Sequence, residues 1–100
     1  MTRRANRRDS THSMIVAAFR KLGWAVGDTS RVGDDWPDLV IAKRTAQGKV
    51  TALVECKAPK KKPTPGQEEF AATWPGKVYV CRTVEDVLRV NDENCRVEAP

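Results

Sequence analysis

The first apolar pattern along the chain is helical. Before Gly23, apolar residues recur every three or four positions, as one face of a helix requires: Met14, Ile15, Ala18, Phe19 and Leu22. Ser10 or Thr11 can cap the start of this helix, and Gly23 suits the left-handed position just beyond its end. The pattern therefore predicts one amphipathic helix near the N-terminus.

Four shorter apolar runs follow and predict strands over about 24–26, 37–43, 50–57 and 78–81. A helix over about 66–74 separates the last two strands. Thr83, with Asp86 three residues on, resembles a capping arrangement and opens a final helix to about Val90 or Asn91. The order α-β-β-β-α-β-α predicts one α/β domain over 10–91, with a small central mixed sheet flanked by helices.

The second and third strands each carry an acid beside an apolar run. If they form a hairpin centred between Ala46 and Gln47, Asp38 lies opposite Glu55 across the ladder. Lys57 shares the face of Glu55 because side chains alternate along a strand. Buried carboxylates are costly, and like charges directly opposed on a sheet are destabilising. The pair therefore predicts a site for a divalent cation.

Hard divalent ions favour oxygen ligands, and Mg²⁺ takes one or two carboxylates together with waters and substrate phosphate. Cys56 points away from the two acids, which leaves its backbone carbonyl as a possible further ligand. Lys57 could hold an attacking water or stabilise negative charge on a phosphate. The bland alternative is a Glu55–Lys57 ion pair at a strand end, with Asp38 as a turn residue. Pro37-Asp38, the matched register and the lysine-rich connector together favour a phosphodiester-cleaving site over this ion pair.

Three short segments carry a resemblance: Pro37-Asp38, Glu55-Cys56-Lys57, and Gln67 on the following helix. In these residues the chain resembles the PD-(D/E)XK nucleases, and most of all their VRR-NUC and archaeal Holliday junction resolvase branches. The resemblance covers about 11–90 and implies a restriction-endonuclease-like core. It implies that Asp38 and Glu55 are metal ligands, that Lys57 is the catalytic lysine and that Gln67 supports the site.

One position departs from the resolvase pattern. Relatives in that branch often carry a glutamate on the first helix, where this chain has His12. Histidine suits Mn²⁺ better than Mg²⁺, and it can also act on a bound water. A solvent-facing histidine is the plain alternative, and Asp9 is the substitute acid if the helix begins earlier. The departure leaves metal stoichiometry open while the reaction class stands.

The charge pattern points to a polyanionic partner. Formal net charge is +5 and the sequence pI is about 9.4. The excess lies in a predicted flexible arm over 1–9 and in the connector after the third strand. Its members are Arg3, Arg4, Arg7, Arg8, Lys60, Lys61 and Lys62. By resemblance, Ser30 and Arg31 lie on a substrate-contacting loop. A solvated surface is the alternative reading of each group.

Three cysteines without C-x-x-C spacing argue against a disulfide framework and predict an intracellular, cytoplasmic protein. No apolar run approaches the roughly 20 residues that a membrane helix needs. Residues 92–100 are predicted to be a polar tail. Trp24, Trp36 and Trp74 could stack on bases, but their positions favour the core or an interface.

The two acids and the lysine predict a Mg²⁺-dependent nuclease, with Mn²⁺ as a possible substitute. The resemblance to the resolvase branch implies a DNA endonuclease selective for branched DNA such as four-way junctions. Two matched cuts in a symmetric junction imply a homodimer. A nuclease acting on DNA ends or flaps is the alternative within the same chemistry. A non-catalytic nucleic-acid-binding protein with a degenerate site is the alternative from another class. The replication-repair resemblance suggests a phage or mobile-element origin, with the host cytoplasm as its location.

Overall fold

The structure is a computed structural model that describes the backbone of residues 7–95 and the side chains of residues 10–95. Its elements follow the predicted order. They are α1 (Arg7–Lys21), β1 (Ala25–Asp28), β2 (Leu39–Thr45), β3 (Gly48–Cys56), α2 (Pro65–Thr73), β4 (Lys77–Cys81) and α3 (Val84–Cys95). None of the helices within this described part is long and apolar enough to cross a membrane.

The four strands form one mixed sheet in the order β1-β2-β3-β4. β1, β2 and β3 are antiparallel neighbours, whereas β4 runs parallel to β3. The β2–β3 pairing runs from Leu39↔Val54 to Thr45↔Gly48, which confirms the predicted hairpin register. Gly48 has a φ of +114°, a conformation that suits glycine at this tight turn.

The main core lies on one face of the sheet, beneath α1 and α3. Ile15 and Phe19 from α1 and Val87 from α3 are fully buried there against alternate residues of β2 and β3. Burial of this apolar stripe explains why α1 forms. The intervening residues of β3, including Glu55, face the opposite side, where α2 lies. One face of β3 therefore packs in the core, and the other face carries Glu55.

Strand directions bring the polar residues to one edge of the sheet. β1 ends at Asp28, which pairs with Leu39 at the start of β2. β3 ends at Cys56, opposite the start of β2 and beside the end of its parallel neighbour β4. Acids separated in sequence, Asp28, Asp38 and Glu55, therefore lie near the same edge.

Several predicted boundaries shift. α1 begins at Arg7, before the predicted caps Ser10 and Thr11, so residues 7–9 of the predicted flexible arm are helical, while residues 1–6 lie outside the described residues. β2 begins at Leu39 because Pro37 has no N–H to donate, and the Pro37 carbonyl instead accepts from the Thr29 hydroxyl at 2.8 Å. β1 extends past its predicted end to Asp28.

The last helix is longer than predicted. It continues to Cys95, beyond the predicted end at Val90 or Asn91, because its final turn packs on the sheet. Asn94 is 6% exposed, and its amide donates to the Val90 carbonyl at 2.8 Å and to the Tyr79 hydroxyl at 3.1 Å. The first part of the predicted polar tail is therefore helical.

The cysteines and one tryptophan are structural. Cys56, Cys81 and Cys95 are free thiols, and the first two are buried. Burial raises the pKa of Cys81 to about 12, so this thiol stays protonated at neutral pH and packs as a small apolar group. Trp24 is 3% exposed and packs edge-on against Phe19 in the core, as its strand position predicted.

Candidate active site

Asp38 is fixed immediately before β2. Its side chain is buried at 7% exposure, and Oδ2 accepts a hydrogen bond from the Cys56 amide at 2.9 Å. Its carbonyl accepts from the Thr29 amide at 2.8 Å. The carboxylate thus bridges to the last residue of β3, two positions beyond Val54 of the last β2–β3 ladder pair. The backbone of Asp38 is therefore held by the residue that follows β1, and its side chain by the last residue of β3.

Glu55 lies on β3, facing α2, and is 6% exposed. Its Oε2 accepts a hydrogen bond from Gln67 Nε2 at 2.8 Å, and Lys57 Nζ lies 4.0 Å from the same oxygen. The lysine side chain is itself only 18% exposed. A cation and an amide therefore compensate this buried negative charge. The structure therefore brings together Glu55, Lys57 and Gln67, three of the residues that the sequence predicted for this site.

Gln67 combines two roles in one side chain. It stands at the third position of α2, where its Oε1 accepts from the Thr64 amide at 2.9 Å and Thr64 Oγ1 accepts from the Gln67 amide at 3.2 Å. This reciprocal capping box uses the amide oxygen. The NH₂ group is consequently directed at Glu55, and the helix cap orients a residue of the candidate site.

The pKa of the Cys56 thiol reflects the burial and the charges at this edge of the sheet. Burial, followed by the nearby charge of Asp38, raises the pKa of its thiol well above the usual range, and the charges of Glu55 and Asp28 add to this rise. Three carboxylates therefore act on one buried position.

The donors at this edge fit Mg²⁺. Asp38, Glu55 and the Cys56 carbonyl supply hard oxygen ligands, and two carboxylates are within the range that Mg²⁺ uses. Among the side chains of residues 10–95, no group of three or more His, Cys, Asp and Glu is arranged to hold a metal. A bound Mg²⁺ would take its remaining ligands from water and phosphate.

His12 lies beside Asp28, an acid that the sequence did not single out. Its Nε2 lies 3.7 Å from Asp28 Oδ2, with the histidine side chain 18% exposed. Asp28 Oδ1 accepts from the Ser30 hydroxyl at 2.6 Å and from the Ser30 amide at 2.9 Å. Asp28 followed by Ser30 two residues later is a local turn pattern that could have drawn attention to this acid. Ser30, expected to contact substrate, is engaged with Asp28.

The predicted DNA-binding cations whose side chains the structure describes lie on the surface. Arg31, Lys60, Lys61 and Lys62 are exposed. The Lys61 carbonyl accepts from the Arg82 guanidinium at 2.7 Å and 3.2 Å, which ties the connector to the end of β4. Arg3 and Arg4 lie outside the described residues. Arg7 and Arg8 lie in α1, and their side chains are outside the described set.

Two tryptophans attach α2 to the loop before β2. Trp36 packs edge-on against Phe70 at 5.2 Å and against Trp74 at 5.1 Å, while Phe70 and Trp74 stack at 5.2 Å. This cluster holds α2 by contacts outside the main core. Both tryptophans therefore pack within this cluster and lie outside the main core that their positions predicted.

The mixed four-stranded sheet, the flanking helices and the acids at one edge define a restriction-endonuclease-like α/β fold. Comparison with solved structures then finds a similar structure described as a VRR_NUC domain. The similarity has a TM-score of 0.67 at 25% sequence identity and covers 88% of this chain and 97% of that one. No protein-family model and no curated protein matches the chain. The comparison confirms the predicted VRR-NUC nuclease-like fold.

Proposed function

We propose that this chain is a metal-dependent nuclease that hydrolyses phosphodiester bonds in DNA. The observation that carries the proposal is the convergence of Lys57 and Gln67 on one oxygen of buried Glu55, beside the fixed carboxylate of Asp38. In a VRR-NUC-like fold this arrangement is the one expected of a cleavage site. A structural ion pair alone would not require a second buried acid at the same edge.

Asp38 and Glu55, with the Cys56 carbonyl, would hold Mg²⁺. When bound, such an ion polarises a phosphate oxygen and lowers the pKa of a coordinated water. Lys57 stabilises the negative charge that builds on the phosphate and can orient the attacking water. Gln67 fixes the orientation of Glu55. His12, held beside Asp28, can bind a water at the rim, and a direct role for it would favour Mn²⁺.

The proposed substrate is branched DNA, and the proposed active form is a C₂ homodimer. One chain offers one such site, whereas a symmetric four-way junction requires two matched cuts. Exposed cations on the connector and at Arg31 can contact DNA phosphates around the site. Arg3, Arg4, Arg7 and Arg8 extend this basic set in the proposal, and the nuclease domain spans about 10–91.

The test uses labelled four-way junction, flap and linear duplex DNA, each with Mg²⁺, Mn²⁺ or EDTA. Wild type is compared with Asp38→Asn and with Asp34→Asn, an exposed aspartate in the preceding loop. We expect metal-dependent cleavage by wild type and Asp34→Asn. Asp38→Asn should bind DNA but cut on the order of 1000-fold more slowly, because metal-ion charge stabilisation contributes several kcal/mol.

Paired symmetric incisions in the junction identify a resolvase, and progressive loss from ends identifies an exonuclease. Absence of metal-dependent cleavage on all three DNAs would sink the nuclease proposal, and retained binding would then support the non-catalytic alternative. Sedimentation of the protein with junction DNA tests the dimer, since one bound chain per junction contradicts it.

A further inference from the structure

The loop before Pro37 contains three consecutive residues in the left-handed region. Gly33, Asp34 and Asp35 have φ values of +84°, +53° and +64°. Glycine adopts this conformation freely, but each aspartate does so at a cost. Such conformations persist where the surroundings hold them, and they concentrate at functional sites.

Asp35 lies against the first turn of α2. A Cβ atom built on Gly66 would lie 2.6 Å from Asp35 Cγ and 2.7 Å from its Oδ1, closer than real Cβ contacts allow. Position 66 therefore has no room for a side chain in the rotamer that Asp35 adopts, and a side chain there would turn the exposed Asp35 carboxylate away from the helix. The N-terminal turn of a helix also attracts negative charge, which favours a carboxylate there.

This contact joins the two halves of the candidate site. Asp35 lies three residues before Asp38, and Gly66 directly precedes Gln67. Asp38 binds the Cys56 amide, while Gln67 binds Glu55 on the same strand. These contacts, together with the chain itself, therefore form a closed ring that runs through Asp35, Asp38, Glu55, Gln67 and Gly66. The ring connects the loop that carries one acid to the helix that supports the other.

α2 is an element whose position depends on few contacts. None of its residues is buried, so no core side chain locks it to the sheet. A cavity of about 410 Å³ separates it from β3 and β4, lined by Asp35, Glu55, Gln67, Ala71, Val78 and Val80 among others. What sets its position must act at its first turn and at the aromatic cluster.

We propose that Asp35 and Gly66 form a positioning pair that sets the distance between α2 and β3 at which Gln67 reaches Glu55. The effect on cleavage rests on the proposed nuclease function. The effect on the Gln67 side chain does not, so the two can be measured separately.

The test compares Gly66→Ala, Asp35→Gly and the double variant. Asp35→Gly removes the carboxylate while suiting the left-handed backbone. Asp34→Gly is the matched control, because it relieves the same kind of backbone cost without touching Gly66. The first readout is the ¹⁵N NMR signal of the Gln67 side-chain amide, and the second is kcat and KM for DNA cleavage.

Gly66→Ala should move the Gln67 amide signals and lower kcat by about 10-fold to 100-fold with a smaller change in KM, because it displaces a group beside the reacting centre. The double variant should return both to the level of Asp35→Gly, since the clash is gone. Asp34→Gly should not rescue Gly66→Ala.

Unchanged Gln67 signals in Gly66→Ala would overturn the pair, as would equal rescue by Asp34→Gly. If Gly66→Ala does not fold, the Gln67 signals of Asp35→Gly decide, because wild-type signals there contradict an anchoring role. If wild type cleaves no DNA while the NMR pattern is as expected, the nuclease proposal fails and the positioning pair stands. If wild type cleaves DNA but the Gln67 signals do not change in Gly66→Ala, the positioning pair fails and the nuclease proposal stands.

Discussion

At the scale of single residues, Gln67 links the stability of a helix to the geometry of the candidate site. Its amide oxygen caps α2 through Thr64, and its NH₂ group binds Glu55. Gln67→Ala should lose both contacts, whereas Thr64→Ala should lose only the hydroxyl half of the cap. The backbone amide of residue 64 still holds Gln67 in the second variant, so the two roles are separable.

Each variant should lower the free energy of unfolding by about 1 kcal/mol, the usual value for a cap or a hydrogen bond. Cleavage by Gln67→Ala should fall by about 10-fold, since Glu55 loses its orienting donor. Cleavage by Thr64→Ala should stay near wild type. Denaturant unfolding and single-turnover cleavage check both values, and equal rates for the two variants would contradict the role of Gln67 at Glu55.

Asp28 gives a prediction on pH. The Ser30 hydroxyl and amide hold the pKa of Asp28 below its ordinary value of 3.8. A depressed folded pKa contributes stability above the unfolded pKa and loses it as pH falls through the folded pKa. Ser30→Ala should raise the pKa of Asp28 in an NMR carboxyl titration. Its destabilisation should be present at neutral pH and disappear in acid, while Ser13→Ala on the same cavity wall should leave that pKa unchanged.

At the scale of elements, the β2–β3 hairpin could be predicted because its turn and its alternation are local. A tight turn at Gly48 sets the register, and that register placed Asp38 level with Glu55. The roles of Asp28 and Asp35 could not be predicted in the same way. Each depends on a partner brought close by the fold, His12 for the first and Gly66 for the second.

The end of α3 could not be predicted for a similar reason. Its last turn is polar in sequence, yet Asn94 is buried because Tyr79 and Lys77 from β4 meet its side chain. Asn94→Ala should lower the free energy of unfolding by about 1–3 kcal/mol, since buried polar partners lose their hydrogen bonds. Asp92→Ala, exposed on the same turn, should change it by less than about 0.5 kcal/mol. Equal thermal stability of the two variants would contradict the packed final turn.

At the scale of the whole molecule, exposed cations lie at both ends of the sheet, whereas the buried acids Asp38 and Glu55 lie at one end only. The edge with Asp38 and Glu55 is acidic, and the lysine connector begins directly beside it. The opposite end carries exposed cations as well, near the end of α1 and the hairpin turn. These are Lys21, Arg44 and Lys49. A chain that cleaves DNA at the acidic edge should use the connector lysines, rather than its overall charge, to hold the phosphates.

Two triple variants separate these possibilities because they lower net charge equally. One replaces Lys60, Lys61 and Lys62 with alanine, and the other replaces Lys21, Arg44 and Lys49. Each phosphate contact contributes about 0.9 to the slope of log K against log salt, so the connector variant should reduce that slope by as much as about 2.7. Measured on junction DNA in the Asp38→Asn background, the far-end variant should keep the wild-type slope. Equal losses in both would mean that DNA is held by net charge without a defined face, which would contradict binding at the acidic edge.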